Sequence, residues 1–191
     1  MERIILASGS PRRKELLEQI GVTFEIYKAE GEEKITSAVP AEAVKELSLQ
    51  KAQEVAEKCS GDVIIGADTV VAVQGKILGK PKDRADAIRM LELLQGRDHE
   101  VITGVAVILR RSGRLIRFAE TTLVRVYPMT RGQIERYVDS GEPMDKAGAY
   151  GIQGRFAAYV AGIEGDYNNV VGLPVGRLYQ ELRTEGMDLN L

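Results

Sequence analysis

At 191 residues, with 44% hydrophobic and 28% charged residues, the chain has the make-up of one soluble globular domain large enough to bury a core. A formal net charge of -2 gives no overall electrostatic footprint for duplex nucleic acid, so any basic patch must be local. The single cysteine, Cys59, excludes an internal disulfide and a thiolate metal cluster. No signal-peptide h-region and no apolar run near the ~18 residues of a membrane span is present, which predicts a cytoplasmic protein with no membrane partner.

Ile4-Ile5-Leu6 is a short apolar run with β-branched residues and predicts a buried strand. The run breaks at Ser8-Gly9-Ser10, and Pro11 fits the first position of a helix with Ser10 as its N-cap. Leu16, Leu17 and Ile20 give that helix an apolar side, and Gly21 suits its end. The helix start carries Arg12, Arg13 and Lys14, where free backbone N–H groups and the helix dipole already disfavour cations. An incoming anion resolves that conflict, so the turn reads as a phosphate site; it reads equally well as a solvated basic turn on an ordinary βα unit. No GxxxxGK[ST] occurs, so it is not a Walker A loop. The flanking strand and helix argue against Ser-Pro-Arg-Arg as a linear motif or minor-groove arm.

Phe24 to Tyr27 predicts a second strand, followed by a polar loop from Lys28 to Pro40. Glu30, Glu32 and Glu33 in this loop are either solvated or supply one carboxylate to a cation site, and the residues alone do not choose which. Pro40 opens a helix to about Lys58, with Val44, Leu47 and Val55 on one face and Ser48 and Ala52 at its flank. Lys51 falls in the middle of that face. It either snorkels to the edge or needs an anion, because an unpaired buried ammonium is costly.

Asp62 to Val73 is apolar or glycine at nearly every position and predicts a strand buried on both faces. Asp68 interrupts it. A carboxylate there must be paired, hydrogen-bonded or bound to metal, and function outweighs simple loop capping. Gln74-Gly75-Lys76 suits a hairpin turn back through Ile77-Leu78 to Gly79-Lys80-Pro81, where the proline fixes the backbone beside Lys80. Asp83 caps a helix to about Gln95, ended by Gly96. A long strand region from His99 to Leu109 pairs with Leu115 to Tyr127 across Arg111-Ser112-Gly113. His99, the only histidine, reads as a structural hydrogen-bonding residue.

Thr130 to Gln133 is a capping box for a helix to Ser140. Asp145 to Gly154 has glycines at 148, 151 and 154, interleaved with apolar and aromatic residues, which predicts an ordered loop whose backbone approaches something closely. Phe156 to Ile163 predicts a further strand, and Asn168 to Pro174 leads into a last helix with Val175, Leu178 and Leu182 inward. With no repeat or linker, residues 1–191 read as one α/β domain.

Arg12, Arg13, Lys51 and Lys80 seek an anion, while Asp68, with Glu33 as a candidate companion, seeks a cation or a proton. A nucleoside triphosphate with a divalent ion meets both needs, since the polyphosphate carries about four negative charges and Mg²⁺ sites combine one or two carboxylates with phosphate oxygens. The chemistry would be attack of water on a phosphoanhydride, with cations stabilising the leaving group and a carboxylate deprotonating the water.

Over essentially its full length the sequence resembles the Maf family of nucleoside triphosphate pyrophosphatases. The resemblance rests on Ser8-Gly9-Ser10-Pro11-Arg12-Arg13, Glu32-Glu33, Gln50-Lys51-Ala52, Gly66-Ala67-Asp68-Thr69-Val70-Val71 and Leu78-Gly79-Lys80-Pro81. It continues through Gly96 to Gly104, Asp145 to Gly154 and Val170-Val171-Gly172-Leu173-Pro174. It implies an α/β fold shared with inosine triphosphate pyrophosphatases: a mixed twisted sheet with flanking helices, in two lobes around a cleft. It also implies cleavage between the α and β phosphates with a divalent cation such as Mg²⁺ or Mn²⁺, and a homodimer.

By position, Asp68 matches the family's proton acceptor, and Ser8, Arg13, Lys51 and Lys80 its substrate-binding residues. Glu33 and Asp68 match its metal positions. Arg12, Thr69 and Gln153 are the set of the dTTP/UTP branch, unlike the 7-methyl-GTP branch. The Gln153 amide offers one donor and one acceptor, which match O4 and N3–H of uracil and thymine alike. Asn168 departs from the family, which commonly has an aromatic there. The family's association with arrest of septum formation supplies the alternative, a nucleotide-binding regulator without significant turnover.

Overall fold

The structure is a computed structural model that describes residues 2–187 and Leu189. Its strands are β1 (Ile4–Leu6), β2 (Glu25–Ile26), β3 (Val63–Val73), β4 (Lys76–Leu78), β5 (Asp98–Leu109), β6 (Arg114–Val126) and β7 (Val160–Glu164). They form one mixed sheet in the order β2-β1-β3-β5-β6-β7, with β4 pairing β3. The flanking helices are α1 (Pro11–Gln19), α2 (Pro40–Lys58), α3 (Arg84–Leu94), α4 (Arg131–Val138), α5 (Tyr167–Val171) and α6 (Val175–Thr184). By its contacts the chain divides into two compact units, one of Met1–Asp68, Thr103–Glu120 and Gly172–Leu191, the other of Thr69–Ile102 and Thr121–Val171. The fold class expected from the sequence, a mixed sheet with flanking helices, is the one found.

In the first unit, β1 pairs in parallel with both β2 and β3. Parallel neighbours need crossover connections, and α1 and α2 supply them. α2 buries Ala43, Val44, Leu47, Ser48, Ala52 and Val55, the face read from its periodicity. Two glycines of the sheet let this helix lie unusually close. A Cβ at Gly66 would meet the Ser48 carbonyl oxygen and come 2.9 Å from the Ala52 nitrogen, and one at Gly104 would run into the Val44–Lys45 backbone. Ile5, Ala7, Ala52, Val55, Ile64 and Ala106 form the packed layer beneath.

In the second unit, β3 turns through Gln74 (φ 49°) and Gly75 (φ 73°) into antiparallel β4. Two consecutive left-handed residues match the twist of a tight hairpin. The Asp83 carboxylate caps α3 by accepting from the Asp86 N–H (2.8 Å), and Thr130 and Gln133 form the capping box of α4. The α4 helix ends at Val138, before Ser140, and β2 is only Glu25–Ile26, narrower than the predicted Phe24 to Tyr27.

One predicted strand is corrected. Residues Arg155–Tyr159 form a 3₁₀ turn, and β7 begins only at Val160. Phe156 is fully buried and packs on Tyr137, Tyr150 and Tyr159 at ring-centroid distances of 5.1, 4.6 and 5.6 Å. A three-residue period puts Phe156 and Tyr159 on the same side, which an alternating strand would not.

Candidate active site

The turn after β1 is built around Ser8. Its buried hydroxyl accepts from the Ser10 N–H (3.2 Å) and from Arg13 Nη1 (3.1 Å). Ser10 holds the N-cap position of α1 but makes no side-chain cap bond, so Ser8 serves the turn instead. Arg13 Nε also donates to the Gly172 carbonyl (2.8 Å). Burial pushes the Arg13 guanidinium below its usual pKa; Asp68 pulls it up, Arg12 lowers it further and Glu33 raises it. Arg12, Glu33 and Asp68 therefore all act electrostatically on Arg13, and a desolvated guanidinium beside a second arginine gains from an anion.

The other half of the constellation comes from α2 and β3. Alternation along β3 puts Gly66 and Asp68 on the same face, so the glycine that admits α2 also brings Lys51 onto the carboxylate. Lys51 Nζ donates to Asp68 Oδ1 at 2.5 Å and lies 2.9 Å from Glu33 Oε1. Of the three loop glutamates, Glu33 is the one with an ion pair to Lys51. The Lys51 and Asp68 side chains are 19% and 14% exposed and Glu33 is 56% exposed, so the cluster is partly open to solvent, unlike a sealed ion pair. Two carboxylates converging on one cation are a hard oxygen donor set suited to a divalent ion whose remaining ligands are phosphate oxygens. Among the described residues no group of three or more His, Cys, Asp or Glu side chains could form a cage without such help.

Ser8, Arg12, Arg13, Glu33, Lys51 and Asp68 belong to the first unit, and Thr69, Lys80 and Gln153 to the second. Thr69 directly follows Asp68 on β3 and is half-buried, whereas Lys80 and Gln153 are exposed. Within the second unit the segments bearing the last two are tied together by the Gly148 N–H donating to the Gly79 carbonyl (3.0 Å). Gly148 has φ 69° and seats on Val71, where a Cβ would lie 2.7 Å from a Val71 methyl.

Sequence reasoning missed the residues that hold the Gln153 turn. Glu142 Oε2 accepts from the Arg155 N–H (3.0 Å) and its Oε1 from the Tyr137 hydroxyl (2.9 Å). The Tyr137 oxygen in turn accepts from the Gly151 N–H (3.3 Å). Both ends of the turn 151–155 are thereby fixed. The only sequence signal was an acidic residue just ahead of a glycine-rich loop.

The Maf-like protein family matches residues 3–185 of the chain. The chain belongs to the Maf family. A protein from Agathobacter rectalis named dTTP/UTP pyrophosphatase is 55% identical over 99% of this chain and 100% of its own length. One of the same name from Carboxydothermus hydrogenoformans is 55% identical over 96% of this chain and 99% of its own. The solved structure of a HAM1 protein from Coxiella burnetii shares the fold, with a TM-score of 0.56 and 16% identity over 96% of this chain and 100% of that one.

In this Maf member His99 is structural, as read. It is buried, with Nε2 2.7 Å from the Tyr150 hydroxyl, and Nδ1 has no hydrogen-bond partner among the described residues. Burial lowers its pKa to about 4. Among the described residues no helix is long and apolar enough to cross a membrane.

Proposed function

We propose that residues 1–191 act as one domain, a nucleoside triphosphate pyrophosphatase. It hydrolyses the α–β phosphoanhydride of dTTP and UTP, and of modified pyrimidine nucleotides, to nucleoside monophosphate and pyrophosphate. The observation that carries this reading is the Lys51 ammonium shared by Asp68 and Glu33, in the electrostatic field of Arg13. Family membership and the names of the relatives at 55% identity support the reaction and the pyrimidine preference.

In this reading Arg13, oriented by Ser8, binds phosphate oxygens, and Lys51 moves its charge from the carboxylates towards the polyphosphate; Lys80 is a substrate-binding residue by its match to the family. Asp68 takes a proton from water. The water oxygen bonds to the α phosphorus, the bond from that phosphorus to the α–β bridging oxygen breaks, and its electron pair leaves with pyrophosphate. Asp68 and Glu33 would hold a divalent cation, Mg²⁺ or Mn²⁺, which supplies further charge neutralisation to the polyphosphate. Gln153 reads the shared edge of uracil and thymine, with Arg12 and Thr69 completing the selection. The protein works in the cytoplasm on a small-molecule substrate, as a homodimer, without nucleic-acid or membrane partners.

The test is to incubate purified protein with UTP, dTTP, CTP and GTP, with and without Mg²⁺, and to quantify pyrophosphate and phosphate. Pyrophosphate should form from UTP and dTTP at least roughly tenfold faster than from CTP or GTP, since a site that pairs with a base edge rejects the wrong one. Binding of UTP with no pyrophosphate would instead favour a regulator of septum formation that does not turn nucleotide over.

A further inference from the structure

Residues 27–39 lie in no helix or strand, yet their backbone is held by side chains of α2. The Glu30 and Gly31 N–H groups donate to the two oxygens of Glu54 (3.0 and 2.9 Å). Lys34 is held at both ends, its N–H donating to Gln50 Oε1 (3.0 Å) and its carbonyl accepting from Gln50 Nε2 (2.5 Å). The Thr36 N–H and hydroxyl donate to the two oxygens of Glu46 (2.9 and 2.7 Å). Positions 46, 50 and 54 are four apart and line one edge of the helix, so the loop runs antiparallel along it. The loop is exposed, and three side chains of one helix supply partners for its backbone.

We infer that Gln50 is a positioning residue for Glu33: by holding the backbone of Lys34 at both its N–H and its carbonyl, it sets the neighbouring carboxylate on Lys51. This rests on reading Glu33 as a ligand of the substrate-bound cation. Gln50 and Lys51 are adjacent on α2, as Glu33 and Lys34 are in the loop, so one two-point bond registers the loop against the helix. Without it, a carboxylate that is 56% exposed has no reason to keep one orientation. Gly31 fits the same arrangement, because a Cβ there would lie 2.9 Å from Glu54 Oε2. Lys58 and the two loop N–H groups hold the Glu54 carboxyl down to about 2, so this anchor stays an ionised acceptor into mildly acid conditions. An exposed helix edge with no role would show polar residues, but not one side chain that pairs both the N–H and the carbonyl of a single loop residue.

The variants are Gln50→Ala, Glu33→Ala and the double substitution. In the metal-free, nucleotide-free protein, Gln50→Ala should speed amide hydrogen exchange of residues 33–36 at least ~10-fold with little change in melting temperature. In UTP hydrolysis it should raise the Mg²⁺ concentration for half-maximal rate about 10-fold, since partners that orient a metal ligand typically matter by that factor, while kcat at saturating Mg²⁺ stays near wild type. The double variant should match Glu33→Ala alone, because Gln50 acts through Glu33. Unchanged exchange, an unchanged Mg²⁺ requirement, or a double variant whose defect is the product of the single ones would each overturn the inference. If the wild-type protein hydrolyses no UTP, the proposed reaction fails. Direct titration of wild type, Glu33→Ala and Gln50→Ala with Mn²⁺ then decides the positioning role by itself, with equal affinities of wild type and Gln50→Ala ruling it out.

Discussion

Asp68 and Lys51 stood out in the sequence for the same reason: each is a charge in an otherwise apolar pattern, and burial makes such a charge find a partner. The structure pairs them with each other at 2.5 Å. Glu33 was legible only through the family resemblance, not from local pattern. Three glutamates in an aperiodic loop differ only in where the loop backbone is held, and that depends on side chains of α2 that are distant in sequence. Asp68→Asn keeps the shape of the side chain but removes its capacity to take a proton. It should lower kcat for UTP by roughly 10²–10⁴-fold while UTP binding, measured by calorimetric titration, stays within a few-fold. Gln153→Ala should narrow the preference for UTP over CTP more than it lowers kcat, which a comparison of kcat/KM over the two substrates will show. Equal loss on both substrates would remove Gln153 from base selection.

At the scale of elements, most of the chain could be read from periodicity and caps. The β3 run, the buried face of α2, the Asp83 cap and the Thr130 capping box all appear where local pattern placed them. Local pattern failed at Arg155–Tyr159, where aromatic packing imposes a three-residue period on a stretch whose composition favours a strand. It was also blind to the role of Gly66, because a glycine in an apolar strand shows only in three dimensions that a helix backbone lies against it. Gly66→Ala would press a methyl group into the Ser48 carbonyl and the Ala52 backbone. Overpacking of this kind costs about 1–3 kcal/mol, so the melting temperature should fall. Because α2 carries Lys51, the activity of the folded fraction should fall as well, and circular dichroism melts alongside kcat at a temperature well below the transition separate the two effects. Full activity in a destabilised Gly66→Ala protein would mean that the close approach of α2 does not set the Lys51–Asp68 contact.

For the whole molecule, the buried pair His99 and Tyr150 links folding to pH. The imidazole titrates at about 4 in the folded protein because burial disfavours its charged form, against an ordinary value of 6.5. Well above pH 6.5 the group is neutral in both states and contributes no pH dependence. As pH falls below 6.5 the unfolded chain binds a proton that the folded chain refuses, so stability declines until about pH 4, by up to about 1.4 kcal/mol per pH unit from this group. Urea denaturation at pH 7.5 and pH 5 should show this loss, and His99→Gln, though less stable at pH 7.5, should show a shallower decline. Identical declines in both proteins would assign the pH dependence to other groups.

The claim on which the account turns is that water, activated by Asp68, attacks the α phosphorus. Hydrolysing UTP in water enriched in ¹⁸O and weighing the products by mass spectrometry tests it directly. One labelled oxygen in the uridine monophosphate and none in the pyrophosphate is the predicted result. Label in the pyrophosphate, or release of uridine diphosphate and phosphate, would contradict it.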